Sequence, residues 1–262
     1  MADFIIDDDN AGHPSVLDGG AKGCVPRDFA VQPRKMQAVD FPLIPQVEWS
    51  ARVKEMELTQ SRLSDIRMTA DNGSMMVNLD QGQFGYCWAH STTHAAMLLR
   101  AKANLPYVPL SAFGVAATIK DGANEGGWGA LSLQFAADRG IPSQAAWPQG
   151  DADPSRGTPA CWADAAKYKV SEQWADLSNQ VWDRHLTFAQ VATLLLSRVP
   201  VVLDLNWWGH SVCGMDLVET SAGQFGIRIL NSWLNWGDNG TAVLVGQKAI
   251  PDAAVAPLVM LA

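Results

Sequence analysis

Residues 87–102, CWAHSTTHAAMLLRAK, contain neither glycine nor proline and follow directly on a loop, DQGQFGY, that carries two glycines. Trp88, Thr92, Ala95 and Leu99 fall on one stripe at helical spacing, so the run predicts a helix whose first residue is Cys87. A second helix is predicted over 128–139, stopped by Gly140, and a third over 187–197, stopped before Pro200. Segment 47–68 has Val53, Met56, Leu63 and Ile66 at near-helical intervals and predicts one short helix. Beyond it the texture changes. Segments 201–206, 211–219, 225–230 and 241–246 are rich in Val, Leu and Ile and separated by Gly, Ser and Asn, as in antiparallel strands. Helices first and strands second make an α+β chain with two unlike halves, and a cleft between the halves is the natural place for a site. Residues 1–46, with Gly19-Gly20 and prolines at 14, 26, 33, 42 and 45, predict an extended N-terminal arm. The remainder, 47–262, then forms the domain, with a helical half over about 47–150 and a β-rich half over about 151–262.

Composition narrows the function classes. Apolar residues make up 48% of the 262, charged residues 18%, and eleven tryptophans supply stiff filling, which predicts a packed core. The net charge is −8, and no run of Lys and Arg could track a phosphate backbone, so no nucleic-acid partner is expected. The apolar stretch 189–205 is broken by Gln190, Arg198 and Asp204, too soon to cross a bilayer, so no membrane partner is expected either. The start, MADFIIDDD, is acidic where a secretory leader is basic, which makes a cytoplasmic location the expectation. Cys24, Cys87, Cys161 and Cys213 are scattered without a CxxC pair and are expected as free thiols, with no metal and no cofactor.

A cysteine on the first turn of a helix meets the positive end of the peptide dipoles, which favours its thiolate. With a histidine partner such a thiol titrates at roughly 3.5–7.5. Gln81, six residues upstream on the same loop, can point its amide at a carbonyl oxygen under attack by Cys87.

The pattern Gln81-Gly82-x-x-Gly85-x-Cys87-Trp88-Ala89 resembles the active-site signature of the papain and cathepsin family of cysteine peptidases. Gly209-His210-Ser211-Val212 opens a strand 123 residues after Cys87, as the family's histidine does, and Asn231-Ser232-Trp233 follows. The glycine pair Gly126-Gly127 in NEGGWGAL and the dipeptide Leu110-Ser111 resemble further family positions, and the resemblance covers about residues 75–247. It implies a papain-like fold, with a helical left half, an antiparallel β right half and the site in the cleft between them. It also implies hydrolysis of peptide bonds in peptide or protein substrates through a thioester. In that scheme Cys87 is the nucleophile, His210 its base, Asn231 the residue orienting the imidazole, and Gln81 an oxyanion donor. Trp88 lies beside the nucleophile, Trp233 covers the His210–Asn231 bond, and Gly126 and Gly127 let an extended substrate approach.

Departures from the pattern are visible. Phe84 stands where secreted members carry a cysteine, which suits a reducing compartment, and His90, Leu234 and a one-residue shortening before Trp236 alter the surrounding loops. Residues 1–75 lack the helical motif of family propeptides, so a removable inhibitory pro-segment is not expected. Other readings stay open at this level. A free cysteine is commonly an inert core residue. Cys87, His90 and His94 share a helix face and could ligate a metal, though HSTTH offers no glutamate base. The acidic arm could instead serve a structural assembly, such as a virion or phage shell, built on the same fold and gripping another subunit.

Overall fold

The computed structural model describes residues 3–33, 41–177 and 184–261. In chain order the regular elements are β1 (Ile5–Ile6), α1 (Pro14–Leu17), α2 (Gln46–Leu58), α3 (Leu63–Thr69), α4 (Cys87–Lys102), α5 (Ala112–Ile119), α6 (Gly129–Asp138) and α7 (Pro159–Ala165). They continue with β2 (Trp174–Asp176), α8 (Arg184–Leu196), β3 (Val201–Leu205), β4 (His210–Ser221), β5 (Gln224–Leu230), β6 (Thr241–Leu244) and β7 (Ala253–Pro257). The strands form one sheet in the order β1-β6-β5-β4-β3-β7-β2. Every pairing is antiparallel except that of β1, which lies parallel to β6 with Ile5 opposite Val243. The fold is α+β, with a helical half and a β half.

Alternation along β3 sorts its side chains between two cores. Val202 packs with α4 and α6, whereas Val201, Leu203 and Leu205 pack on the opposite face with α8 and Trp49 of α2. Asp204, two residues beyond Val202, shares the face that looks toward α4 and α6. Helix α4 is buried at every position from Cys87 to Arg100. A helix enclosed on all sides must satisfy its polar groups internally. Ser91 Oγ reaches Ser211 Oγ of β4 at 2.9 Å, Thr92 Oγ1 reaches Ser132 Oγ of α6 at 2.7 Å, and Thr93 donates to the Ala89 carbonyl. The first two bonds lock α4 against the sheet and α6, and the third is internal to the helix. Arg100 and Lys102 in its last turn complement the dipole.

The expected short helix over 47–68 is two helices, α2 and α3, with Gln60 at φ 48° between them. Gly140 follows α6 at φ 86°, and an added Cβ there would lie 1.9 Å from the Ala165 carbonyl oxygen, so only glycine fits this helix end. The arm is held against its own chain: β1 joins the sheet, and Ile6 and Val16 are fully enclosed in the core on the α8 side.

Candidate active site

The loop before α4 is shaped by Gly82, at φ 55°, whose N–H donates to Asp80 Oδ1 at 3.0 Å. Gly85 N–H donates to Asn124 Oδ1 at 2.7 Å, and the Trp88 indole returns to the Gly85 carbonyl at 3.0 Å. Cys87 is delivered to the first turn of α4 fully buried, its sulfur facing the backbone N–H groups of Ser211, Gly23 and Trp88. His210 opens β4 on the opposite wall. Its Nε2 pairs with Asn231 Oδ1 at 2.7 Å, and because an amide oxygen only accepts, Nε2 carries the proton. Asn231 Oδ1 is itself fixed by the Ser232 N–H at 2.7 Å. The tautomer leaves Nδ1 with a lone pair, and Nδ1 is buried without a hydrogen-bond partner. Trp233 lies over the imidazole with ring centroids 4.3 Å apart, and Trp208 meets it edge-on at 5.0 Å. The Gln81 amide donates to the carbonyls of Phe84 and Ala21, at 2.7 and 2.9 Å.

Ala21 belongs to the arm, which crosses the cleft directly over Cys87. Gly23 and Cys24 N–H groups both reach the Gly209 carbonyl, at 3.2 and 3.0 Å, on the β side. On the helical side Gly127 N–H donates to the Gly23 carbonyl at 2.9 Å and Val25 N–H donates to the Gly127 carbonyl at 3.0 Å, a parallel bridge. Glycines make the seat possible. A Cβ on Gly23 would lie 2.0 Å from the Gly85 carbonyl oxygen, and Cβ atoms on Gly19 and Gly20 would lie 2.1 and 2.6 Å from the Trp233 ring. Farther along, Arg27 makes a buried two-pronged ion pair with Asp176 of β2, at 2.9 and 3.0 Å. Gln32 ties down both the Ala130 carbonyl and the Trp128 indole.

This lid reverses one expectation from the sequence. The helix terminus and the three N–H groups favour a thiolate, yet burial outweighs them and pushes the Cys87 thiol up to about 12. Burial likewise drives His210 down to about 3 against the support of Asn231. With the arm seated, burial favours the neutral thiol at Cys87 and the neutral imidazole at His210, whose Nδ1 has no hydrogen-bond partner. Gly126 and Gly127 sit on the cleft wall against Gly23 and Val25 of the arm. His90 is engaged by the Tyr86 carbonyl and Gln149, at 2.8 and 2.7 Å, and His94 Nε2 accepts from Leu79 N–H. All four cysteines are free and buried. Among the described residues no cluster of His, Cys, Asp or Glu has the arrangement of a metal site, and no helix is long and apolar enough to cross a membrane.

Residue-by-residue reading of the sequence missed the arm's course and Asp204. The carboxylate interrupts an apolar strand, and in the sequence alone that signal reads as a break in hydropathy.

This architecture is that of the papain-like cysteine proteases. Xylellain, a cysteine protease from Xylella fastidiosa, matches over 91% of this chain and 96% of its own at TM-score 0.58 and 15% identity. Digestive procathepsin L 3 of the Tenebrio molitor larval midgut matches over 70% of this chain at TM-score 0.54 and 22% identity, and this chain spans just under two thirds of it, 66%. Bromelain from Ananas comosus, solved with the inhibitor E64, matches over 70% of this chain and 94% of its own at TM-score 0.53 and 18% identity. No protein-family model and no curated protein sequence matches the chain.

Proposed function

We propose that the chain is a thiol peptidase in which Cys87 attacks the carbonyl of a peptide bond and His210 Nδ1 takes the thiol proton. The observation that carries this is the imidazole tautomer: Asn231 holds the proton on Nε2, so the unpartnered Nδ1 is the base. The Cys87 N–H and the Gln81 amide would stabilise the oxyanion, the thioester would form as the amine leaves with the proton carried by His210, and water would release the acid. Trp233 keeps water from the His210–Asn231 bond and so preserves its strength. The arm fills the same cleft, so turnover requires it to leave, and the measured rate scales with the fraction of molecules that are open.

The test is cleavage of a mixed peptide library by the full-length chain, followed by mass spectrometry. Cleavage that is lost in both Cys87→Ala and His210→Ala supports the proposal. Cleavage that survives in Cys87→Ala, or no cleavage even when the arm is displaced, overturns it.

A further inference from the structure

Asp204 lies beneath the arm on the cleft-facing side of β3, only 4% exposed. Its Oδ2 accepts from Gly129 N–H at 2.8 Å, while Oδ1 is buried with no hydrogen-bond partner. The side chain above it is Cys24, the residue bridged to Gly127, whose thiol lies against the carboxylate. The Ser211 hydroxyl, paired to Asp204 across the strands, is engaged with Ser91. The thiol and this hydroxyl leave Oδ1 without a well-formed bond. The pocket is thus a built one. Its wall at Gly129 is so close that an added Cβ would lie 2.5 Å from Val202 and 3.3 Å from Asp204 Oδ1.

An ionised carboxylate only accepts hydrogen bonds, and a thiol is a weak donor, so Cys24 is a poor occupant for this floor. Burial under the arm raises Asp204 to about 6, opposed by the Gly129 N–H, then by weaker contributions from the Ser211 hydroxyl, the Cys24 thiol and the more distant Arg27. When the arm leaves it takes Arg27 with it, which uncovers Asp176 as well. The vacated cleft then presents one carboxylate in the side-chain pocket beside Gly127 and a second three residues farther along the arm's track.

We propose that Asp204 is the specificity-determining residue of this cleft and selects peptides that place a lysine or arginine side chain in the pocket now filled by Cys24. The inference rests on the peptidase proposal above, since it names that enzyme's substrate class. A cationic side chain supplies both the donors and the charge that Oδ1 lacks, and the burial of Asp204 partly desolvates the pairing. The arm uses a small neutral residue at this point and is held instead by its glycines and Arg27, so it closes the cleft without satisfying the pocket.

The experiment is positional scanning with the full-length chain. Each of the four residues before the cleaved bond is varied in turn among Lys, Arg, Leu and Asp, and kcat/KM is measured for wild type and for Asp204→Asn. At one position the wild type is expected to favour Lys or Arg over Leu at least about tenfold and to reject Asp, and Asp204→Asn is expected to bring the Lys-to-Leu ratio at that position to near unity. Cleavage with no cationic preference at any position overturns the inference and leaves the peptidase intact, and the wild-type profile decides this even if the variant folds poorly. A cationic preference unchanged in a folded Asp204→Asn overturns it too. Absence of any Cys87-dependent cleavage removes both.

Discussion

At the scale of single residues, chemistry here depends on which nitrogen holds a proton and how much water reaches a sulfur. Asn231 Oδ1, pinned by the Ser232 N–H, forces the proton onto Nε2 of His210 and leaves Nδ1 with the lone pair that the proposed mechanism uses. Replacing Gln81 by alanine removes one oxyanion donor, and kcat is expected to fall about 100-fold or more, with a much smaller change in KM, in steady-state peptide hydrolysis. A kcat within threefold of wild type would take Gln81 out of the site. Cys87, His210, Asn231 and Gln81, the residues proposed for the site, stand out in the sequence because each sits in a short motif with its own spacing. The state of Cys87 was not, since helix position argues for a thiolate and only the arm's coverage makes burial win. Asp204 was equally hard to see, because a polar residue in VVLDL gains meaning only once alternation places it on the cleft side with Val202.

At the scale of elements, α4 was legible to its ends because sixteen residues without a breaker leave few alternatives. Helix α5, with Gly114 inside it, and β7, AAVAP, were not anticipated. Glycine and alanine carry weak local preference, and packing decides their fate. The arm is the extreme case. Its residues have no periodicity, and its course is encoded in close approaches, above all that of Gly23 to the Gly85 carbonyl. A side chain at 23 has nowhere to go while the arm is seated. Gly23→Val is therefore expected to unseat residues 19–27 and raise the rate of Cys87 alkylation more than about tenfold, with the far-UV circular dichroism retained. An alkylation rate equal to wild type would mean that the arm is not what covers the thiol.

At the scale of the molecule, the buried titratable groups set the pH response. His90 is held at about 4 and His210 at about 3 by burial, and His94 is also pushed well down. Each has a folded pKa below its unfolded value near 6.5, so its neutral burial is stable above about 6.5 and loses stability as pH falls toward the folded pKa. Asp204, raised to about 6, and Asp216, also raised, act oppositely: their burial is favourable at acid pH and loses stability as pH rises through the folded pKa. Three histidines against two carboxylates leave the acid side weaker. Urea midpoints are expected to drop between pH 7.5 and pH 5.0 by an amount equivalent to a few kcal/mol, and a midpoint that is flat or higher at pH 5.0 would contradict this balance. The central claim, that Cys87 and His210 work as one pair once the cleft opens, is tested most directly by timing iodoacetamide modification of each thiol by mass spectrometry in full-length Gly23→Val at pH 7. The account predicts Cys87 modified at least about tenfold faster than Cys24, Cys161 or Cys213, with the advantage lost in Gly23→Val/His210→Gln. Equal, slow modification of all four thiols would contradict it.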